Sequence, residues 1–201
     1  MRGPVDRLTA GLPHPWPTVI DWVVTIVVAV GAVLAIKAWV VNPYRIPSSS
    51  MEPTLHCAEP GAGCLASFSD RVLANRFIYH FRDPERGEIV VFKTPPDAER
   101  CENGAGGETF VKRIVGLPGD LVTEQRGAIS VNGEPLDESY LPPGAADQRS
   151  GRWRVPAASY FMMGDNRASS CDSRDWGAVP RENLIGPVFA VYWPPQRIGF
   201  R

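Results

Sequence analysis

A long apolar run near the start of the chain constrains the fold more than any other feature. The run extends from Trp22 to Val41 and reads WVVTIVVAVGAVLAIKAWVV, with Lys37 as its one charge. A helix needs about 20 apolar residues to cross a bilayer. Lys37 and Trp39 lie near the C-terminal end of the run, where an ammonium group and an indole ring can reach the membrane interface. The sequence therefore predicts one transmembrane helix, which we place at residues 18–41.

Two other interpretations of this run are a buried helix of a soluble domain and a cleaved secretory signal. The apolar part of such a signal usually has about 7–15 residues, so the longer run favours a retained anchor. The preceding segment, residues 1–17, carries Arg2 and Arg7 against Asp6. A positive excess predicts a cytoplasmic N-terminus. Residues 42–201 would then form an extracytoplasmic domain, held at the plasma membrane by a single pass.

The composition after the run favours a mainly β domain. The chain contains 19 Gly and 20 Pro, most of them beyond residue 42. This composition predicts many short strands joined by turns. The formal net charge of −1 provides no basic field for nucleic acid. We therefore expect the lipid bilayer as a partner and no nucleic acid.

All four cysteines follow the run, which suits an oxidising compartment. Cys57 and Cys64 would close a short loop as a disulfide. Cys101 and Cys171 either pair across the fold or remain free thiols, since sequence does not determine connectivity. Cys57 and Cys64 lack a paired CxxC, and the histidines are scattered along the chain, so we expect no metal and no cofactor.

Two segments carry candidate catalytic residues. After the anchor, the stretch NPYRIPSSSMEPTL is rich in proline and cannot continue a helix, which makes Ser48–Ser50 part of a loop. The second segment, TFVKRIVGLPGD, is a strand-like run in which alternation places Phe110, Lys112 and Ile114 on one face. A lysine on such a face either snorkels to solvent or is partly desolvated, and desolvation favours the neutral amine that can act as a base.

Four motifs follow the apolar run. They are Pro47–Met51 with Pro53-Thr54-Leu55, the segment Arg86–Lys93, the segment Lys112–Asp120, and Tyr160–Arg167 continuing to Ser170, Asp172 and Arg174. Together, and in this order, they resemble the motifs of bacterial type I signal peptidases. The resemblance covers most of the chain from Asn42 to Trp193 and is more specific than any single motif. It implies an antiparallel β-sheet catalytic domain of the signal-peptidase type behind one transmembrane helix.

The resemblance also implies roles for individual residues. Ser50 would be the nucleophile and Lys112 the general base, in a dyad that needs no histidine. The Ser48 hydroxyl and the Ser50 backbone N–H would form the oxyanion hole. Ser170 would hydrogen-bond and orient the lysine amine. The remaining supporting positions are Asp172, Arg174 and Arg113.

The substrates implied are preproteins that emerge from the secretion translocon and are cut after small residues of the Ala-x-Ala type. Such a peptide would bind as an added strand. The positions that would shape its shallow pockets are Tyr44, Ile46, Leu55, Phe110 and Val111, all of which could equally be core. The stretch between Leu55 and Arg86, with its two cysteines, does not align with the family. A small accessory β lobe is expected around 120–151, with a hairpin at Asn132-Gly133.

Other functions are compatible with part of this pattern. One is a related Ser/Lys processing peptidase, such as a pilus-maturation protease or a self-cleaving repressor-type domain. Another is a catalytically silent β-domain tethered to a membrane. The anchor disfavours the repressor type, and the joint presence of Ser48, Ser50, Lys112, Ser170 and Asp172 disfavours the silent domain. The sequence therefore favours a membrane-bound serine endopeptidase that removes signal peptides.

Overall fold

The computed structural model of this protein describes residues 16–39, 41–100, 109–145 and 147–201. The chain divides into two compact units, Met1–Val41 and Asn42–Arg201. Most of the predicted cytoplasmic segment, together with Cys101, lies outside the described residues.

The first unit contains helix α1, Trp16–Trp39. A helix predicted at 18–41 is thus present, and apolar side chains along it, among them Val23, Val27 and Val33, are more than half exposed. Among the described residues, no helix combines the length and apolar character needed to span a membrane. The membrane crossing predicted for 18–41 is therefore not confirmed.

The rest of the described chain is mainly β, as predicted. Its strands are β1 (Val41–Arg45), β2 (Arg71–Asn75), β3 (Ile89–Lys93), β4 (Thr109–Gly116), β5 (Leu121–Gln125), β6 (Ala128–Val131), β7 (Glu134–Pro135), β8 (Gly151–Arg154), β9 (Ser159–Met163), β10 (Val179–Pro180), β11 (Leu184–Trp193) and β12 (Gly199–Phe200). A short helix α2, Ser173–Trp176, lies between β9 and β10.

These strands form two sheets within the described residues. The larger sheet has the order β1-β2-β11-β3-β4-β9-β10, with β12 paired to β11. Its central pairs are antiparallel, and the register of β3 with β4 sets Val90 opposite Lys112. The smaller sheet has the order β7-β6-β5-β8 and corresponds to the accessory lobe predicted around 120–151. The predicted Asn132-Gly133 hairpin joins β6 to β7, with positive φ at both residues.

Burial explains how the sheet holds the residues from Ile46 to Leu55, which include Ser50 and which we call the serine segment. Strand β3 reads IVVFK and is buried on both faces except at its last residue. One apolar cluster of the core joins Ile46, Met51 and Leu55 of the serine segment to Val72 and Val91 of β2 and β3. Each such side chain contributes about 1.5–3 kcal/mol by leaving water. The segment around Ser50 is therefore anchored to the sheet by its apolar residues on either side.

Candidate active site

Ser50 and Lys112 meet although 62 positions separate them. Ser50 lies in a short 3₁₀ turn, Ser49–Met51, which follows the extended residue Ser48. Lys112 lies in the interior strand β4 and is only 3% exposed. Its Nζ lies 2.5 Å from Ser50 Oγ and 5.5 Å from the centre of the Phe110 ring. Burial disfavours a charged amine, so this contact suits transfer of a proton from a hydroxyl to an amine.

The 3₁₀ turn is held from a second segment of the chain. Asn166 donates its backbone N–H to Ser50 O at 3.1 Å and its side-chain Nδ2 to Ser49 O, also at 3.1 Å. Within the turn itself, Glu52 N donates to Ser49 O at 3.0 Å. The sequence of the fourth motif is at least as compatible with a tight turn at Asn166 as with a catalytic role. The structure instead uses it to hold the serine turn, and its place in the fourth motif was the available signal.

Ser48 lies beside Ser50, with 3.4 Å between the two Oγ atoms. A hydroxyl at this distance from the serine oxygen is close enough to reach an oxyanion that forms there, given a small adjustment. The geometry brings together the three groups predicted for the chemistry, and their catalytic roles remain predictions.

The expected hydrogen bond between Ser170 and the lysine amine is absent. Ser170 Oγ is buried and has no hydrogen-bond partner, while the Lys112 amine donates to Ser50. Ser170 nevertheless lies close by, since a Cβ placed on Gly164 would clash with both Ser170 Oγ and Ser50 O. Gly164 therefore lets the loop that bears Ser170 pack directly on the serine turn.

Asp172 and Arg174 brace that loop. Arg174 donates Nε to Asp172 Oδ1 at 2.8 Å and also forms ion pairs with Glu124 and Asp147. Asp172 accepts from Gly164 N at 3.1 Å and caps α2. Burial alone would lower the pKa of Arg174, but the hydrogen bonds and charges of these three carboxylates outweigh it and raise that pKa.

Arg113 belongs to the same set of buried ion pairs. It forms a bidentate pair with Asp165, at 2.9 Å from Nε and 2.6 Å from Nη2, and its guanidinium lies 3.9 Å from the centre of the Tyr140 ring. Arg167 contacts Glu138, and burial raises the pKa of that carboxyl. Burial also raises the pKa of Tyr140 to about 12. We call this set the arginine network. Its members are Arg113, Arg167, Arg174, Glu124, Glu138, Asp147, Asp165 and Asp172.

A groove of about 670 Å³ opens over the Ser50–Lys112 contact. Four of the five predicted pocket residues line it, namely Tyr44, Ile46, Phe110 and Val111. Leu55 was wrongly predicted there, because it is fully buried in the apolar cluster beneath the serine segment. A second cavity of about 650 Å³, beside Tyr79 and Arg181, contains neither Ser50 nor Lys112.

Cysteines also border this groove. Cys57 and Cys64 form a disulfide, and Cys64 is a lining residue together with the neighbouring Gly61, Ala62 and Gly63. Cys171 lines the groove and is disulfide-bonded, while Cys101 lies outside the described residues. Within the described ranges, no group of three or more His, Cys, Asp or Glu side chains could hold a metal ion.

A serine hydroxyl against a buried lysine amine, in an open groove, is the arrangement that a Ser/Lys hydrolase requires. The family described as "Signal peptidase, peptidase S26" matches residues 19–193. The chain therefore belongs to the signal peptidase family of serine peptidases, peptidase S26.

Two relatives, from Synechocystis sp. and Leptolyngbya laminosa, agree with this assignment. A probable signal peptidase I-2 of Synechocystis sp. is 44% identical over 175 residues, which cover 87% of this chain and 73% of that protein. The signal peptidase I of Leptolyngbya laminosa is 37% identical over 198 residues, which cover 98% of this chain and 90% of that protein. A crystal structure of a signal peptidase I from Enterococcus faecalis has 27% identity and a TM-score of 0.43, covering 53% of this chain and 97% of that one.

Proposed function

We propose that this protein is a membrane-associated serine endopeptidase that removes N-terminal signal peptides from preproteins after small residues of the Ala-x-Ala type. The observation that carries the proposal is the 2.5 Å contact between Ser50 Oγ and Lys112 Nζ, at the base of an open groove. Membership of the signal peptidase family supports the substrate class.

The first half of the reaction forms an acyl-enzyme. The neutral Lys112 amine takes the Ser50 hydroxyl proton while Oγ bonds to the carbonyl carbon of the scissile peptide. The carbonyl oxygen gains negative charge and accepts hydrogen bonds from the Ser50 backbone N–H and the Ser48 hydroxyl. Lys112, now an ammonium, returns the proton to the leaving amine as the C–N bond breaks.

The second half hydrolyses that ester. Lys112 takes a proton from water, the hydroxide oxygen bonds to the acyl carbon, and the proton returns to Ser50 Oγ as the cleaved signal peptide leaves. Each time the amine turns away from Ser50 it needs another acceptor. The buried Ser170 Oγ, which has no hydrogen-bond partner, supports a role for Ser170 as that acceptor.

The substrate would bind as an extended strand. The segment from Tyr44 to Ser50 and the first residues of β4 both line the groove, and each can offer backbone groups to a peptide. The half-buried rings of Tyr44 and Phe110 occupy space in the lining of the groove, which supports a preference for small side chains.

The test is cleavage of a model preprotein with an Ala-x-Ala site by the full-length protein in detergent. Ser50→Ala and Lys112→Ala should each abolish cleavage while circular dichroism shows an unchanged fold. Ser67→Ala and Lys93→Ala, at exposed positions, are the matched controls and should cut normally. Failure of the wild type to cut, or cutting that survives Lys112→Ala, would support a related peptidase or a silent domain instead.

Membrane attachment is a separate part of the proposal. The exposed apolar side chains of α1 support its insertion into a bilayer. The excess of Arg2 and Arg7 over Asp6 supports an orientation with residues 42–201 outside the cytoplasm. Carbonate extraction of cell membranes should leave the full chain in the pellet, and external protease should digest residues 42–201 in spheroplasts. Release into the carbonate supernatant would argue against the anchor without affecting the catalytic proposal.

A further inference from the structure

The loop closed by the Cys57–Cys64 disulfide forms part of the groove wall. It lies between the serine segment and β2, in a stretch outside the four sequence motifs. Its tip residues Gly61, Ala62 and Gly63 line the groove together with Phe110 and Lys112 of β4. A segment to which no sequence motif assigned a role therefore borders the reacting groups.

The tip rests directly on the turn that carries the serine. Gly63 has a φ of +73°, and a Cβ at this position would lie 2.9 Å from Ser49 Oγ. Glycine is the residue that tolerates both the positive φ and this approach. Ser49 is buried and precedes Ser50 in the chain. The position of the loop tip is therefore tied to the position of Ser50.

Glu52 fixes the base of the same loop. Its side chain is 3% exposed, and Oε1 accepts from the backbone N–H of Cys57 at 3.0 Å and of Leu65 at 3.2 Å. Oε2 contacts His56 Nδ1. The two N–H donors flank the disulfide, so a single carboxylate, two residues after Ser50, holds both ends of the loop.

Further hydrogen bonds stiffen the base. Ala58 N donates to Ser69 Oγ at 3.1 Å, and Glu59 N donates to Ala66 O at 2.8 Å. The base is thus held by a disulfide, a buried carboxylate and backbone bonds, while Ala62 at the tip is exposed in the groove. Such a wall cannot easily retreat from a bulky group.

We propose that the Cys57–Cys64 loop determines substrate specificity by limiting the size of substrate side chains next to the scissile bond, with Glu52 as the positioning residue that fixes the loop. The inference rests on the proposed peptidase function. Its chemical basis is the tip itself, which offers a wall of two glycines and one methyl group. Small side chains fit against this wall, and the tethered base prevents it from opening for larger ones.

Selectivity separates this role from a purely structural one. Full-length protein is assayed with preproteins that carry Ala, Val or Leu at position −1, the residue directly before the scissile bond. A second series varies position −3, two residues further towards the N-terminus. A loop that only stabilised the fold would change kcat/KM for all substrates by one factor. We expect Glu52→Ala, and Cys57→Ser combined with Cys64→Ser, to lower the preference for Ala over Leu by about tenfold or more at one of these positions.

Glu52→Gln is the conservative partner of Glu52→Ala. Its amide oxygen still accepts from Cys57 N and Leu65 N, so we expect it to restore most of the preference for Ala. An unchanged preference in Glu52→Ala, or an equal loss in both Glu52 variants, would overturn the positioning role.

Ala62→Trp tests the wall without altering its supports. The indole should fill the groove and raise KM for the Ala-x-Ala preprotein by about tenfold or more, with kcat affected much less. Ala128→Trp places the same side chain at an exposed alanine of β6 and should leave KM unchanged. An unchanged KM in Ala62→Trp would exclude contact between the loop and the substrate.

Peptide binding to the Ser50→Ala protein distinguishes failure of this inference from failure of the proposed function. Calorimetry compares peptides that end in Ala-x-Ala and Ala-x-Leu, with and without Glu52→Ala. If the wild type cuts no preprotein but the loop variant loses selectivity in binding, the proposed function fails and the loop inference stands. If cleavage is normal and selectivity is unaffected in both assays, the loop inference fails and the function stands. If the peptides do not bind and nothing is cut, both fail.

Discussion

The two faces of β4 use neighbouring cations in opposite ways. Lys112 lies on the face that borders the groove, and its amine donates to a serine hydroxyl. Arg113, the next residue, lies on the other face and donates to both oxygens of Asp165. Alternation along one strand thus separates the cation that we propose as the general base from a cation that forms an ion pair within the fold.

The difference follows from the chemistry of the two side chains. An amine can give up its proton when buried, whereas a guanidinium stays charged and offers a planar set of donors that matches carboxylates. The arginine network uses this property three times, through Arg113, Arg167 and Arg174. Arg167 and Arg174 form ion pairs that hold the loop from Gly164 to Asp172, and that loop packs on the serine turn. The network therefore helps to position the serine turn, and none of its members lines the groove.

The largest effect should come from exchanging one cation for the other. Lys112→Arg keeps the positive charge and adds donors, but arginine cannot act as a base. We expect cleavage to fall by about 10³-fold or more, with the fold retained. The measurement is kcat/KM on a model preprotein, and Lys93→Arg on the exposed end of β3 is the control. Substantial activity in Lys112→Arg would remove the distinction between the two faces.

Asp165→Ala tests the face of β4 on which Arg113 forms its buried ion pair. Removing the carboxylate leaves the Arg113 charge buried and unpaired, and breaking a buried pair costs about 3–5 kcal/mol in the free energy of unfolding. Denaturant unfolding of the full chain measures the loss. Arg149→Ala breaks the more exposed pair with Asp175 and should cost at most about 1 kcal/mol. Equal losses in the two variants would show that burial does not distinguish these pairs.

Gly164→Ala tests whether the loop held by the arginine network sets the position of Ser50 in the groove. The added methyl group would clash with Ser170 Oγ and with the Ser50 carbonyl. A displacement of Ser50 by a fraction of an ångström should lower kcat by about 10- to 100-fold, with a smaller effect on KM. Gly199→Ala is a matched control, since a Cβ there meets no atom within 4 Å. If Gly164→Ala cuts at the wild-type rate, the loop does not set the position of Ser50.

The alternation of residues along β4 predicted the face that borders the groove better than the face that carries Arg113. Alternation placed Phe110 and Lys112 on one side of a strand, and the 5.5 Å distance between the Phe110 ring and Lys112 Nζ confirms this. The pairing of Arg113 with Asp165 depends on the register of β4 with β9, which no local pattern determines. Leu55 was misplaced for a related reason, because an apolar residue beside a groove and one beneath it look the same in sequence.

The loop after the serine segment shows the same limit. Its disulfide could be anticipated from the spacing of Cys57 and Cys64, but its place in the groove could not. That place depends on Glu52, whose side chain binds two backbone N–H groups separated by eight positions. A glutamate in a proline-rich loop gives no sign of such contacts, since exposed glutamates are the rule.

The smallest effect concerns Asp120, where the turn after β4 leads into the accessory lobe. Burial acts to raise its pKa, but hydrogen bonds from Leu117 N, Asn132 and Arg86 outweigh burial, and the net pKa is lowered. A carboxyl with a lowered pKa in the folded state stabilises the protein above its unfolded pKa, and this contribution is lost as the pH falls through the folded value. Asp120→Asn should therefore reduce the free energy of unfolding by about 1–2 kcal/mol at pH 7.

The pH dependence makes this prediction specific. The difference between wild type and Asp120→Asn should shrink progressively below about pH 4, because the carboxyl is protonated first in the unfolded state and only at lower pH in the folded state, whose pKa is lowered. Denaturant unfolding at pH 7 and at pH 3 measures it. Asp137→Asn, at an exposed position in the same lobe, should change the free energy of unfolding by less than about 0.5 kcal/mol at either pH. A difference that stays constant with pH would mean that the Asp120 side chain stabilises the turn by its shape and not by its charge. The stabilising ion pairs on the Arg113 face of β4 would then end at Arg113 and would not extend to the turn that contains Asp120.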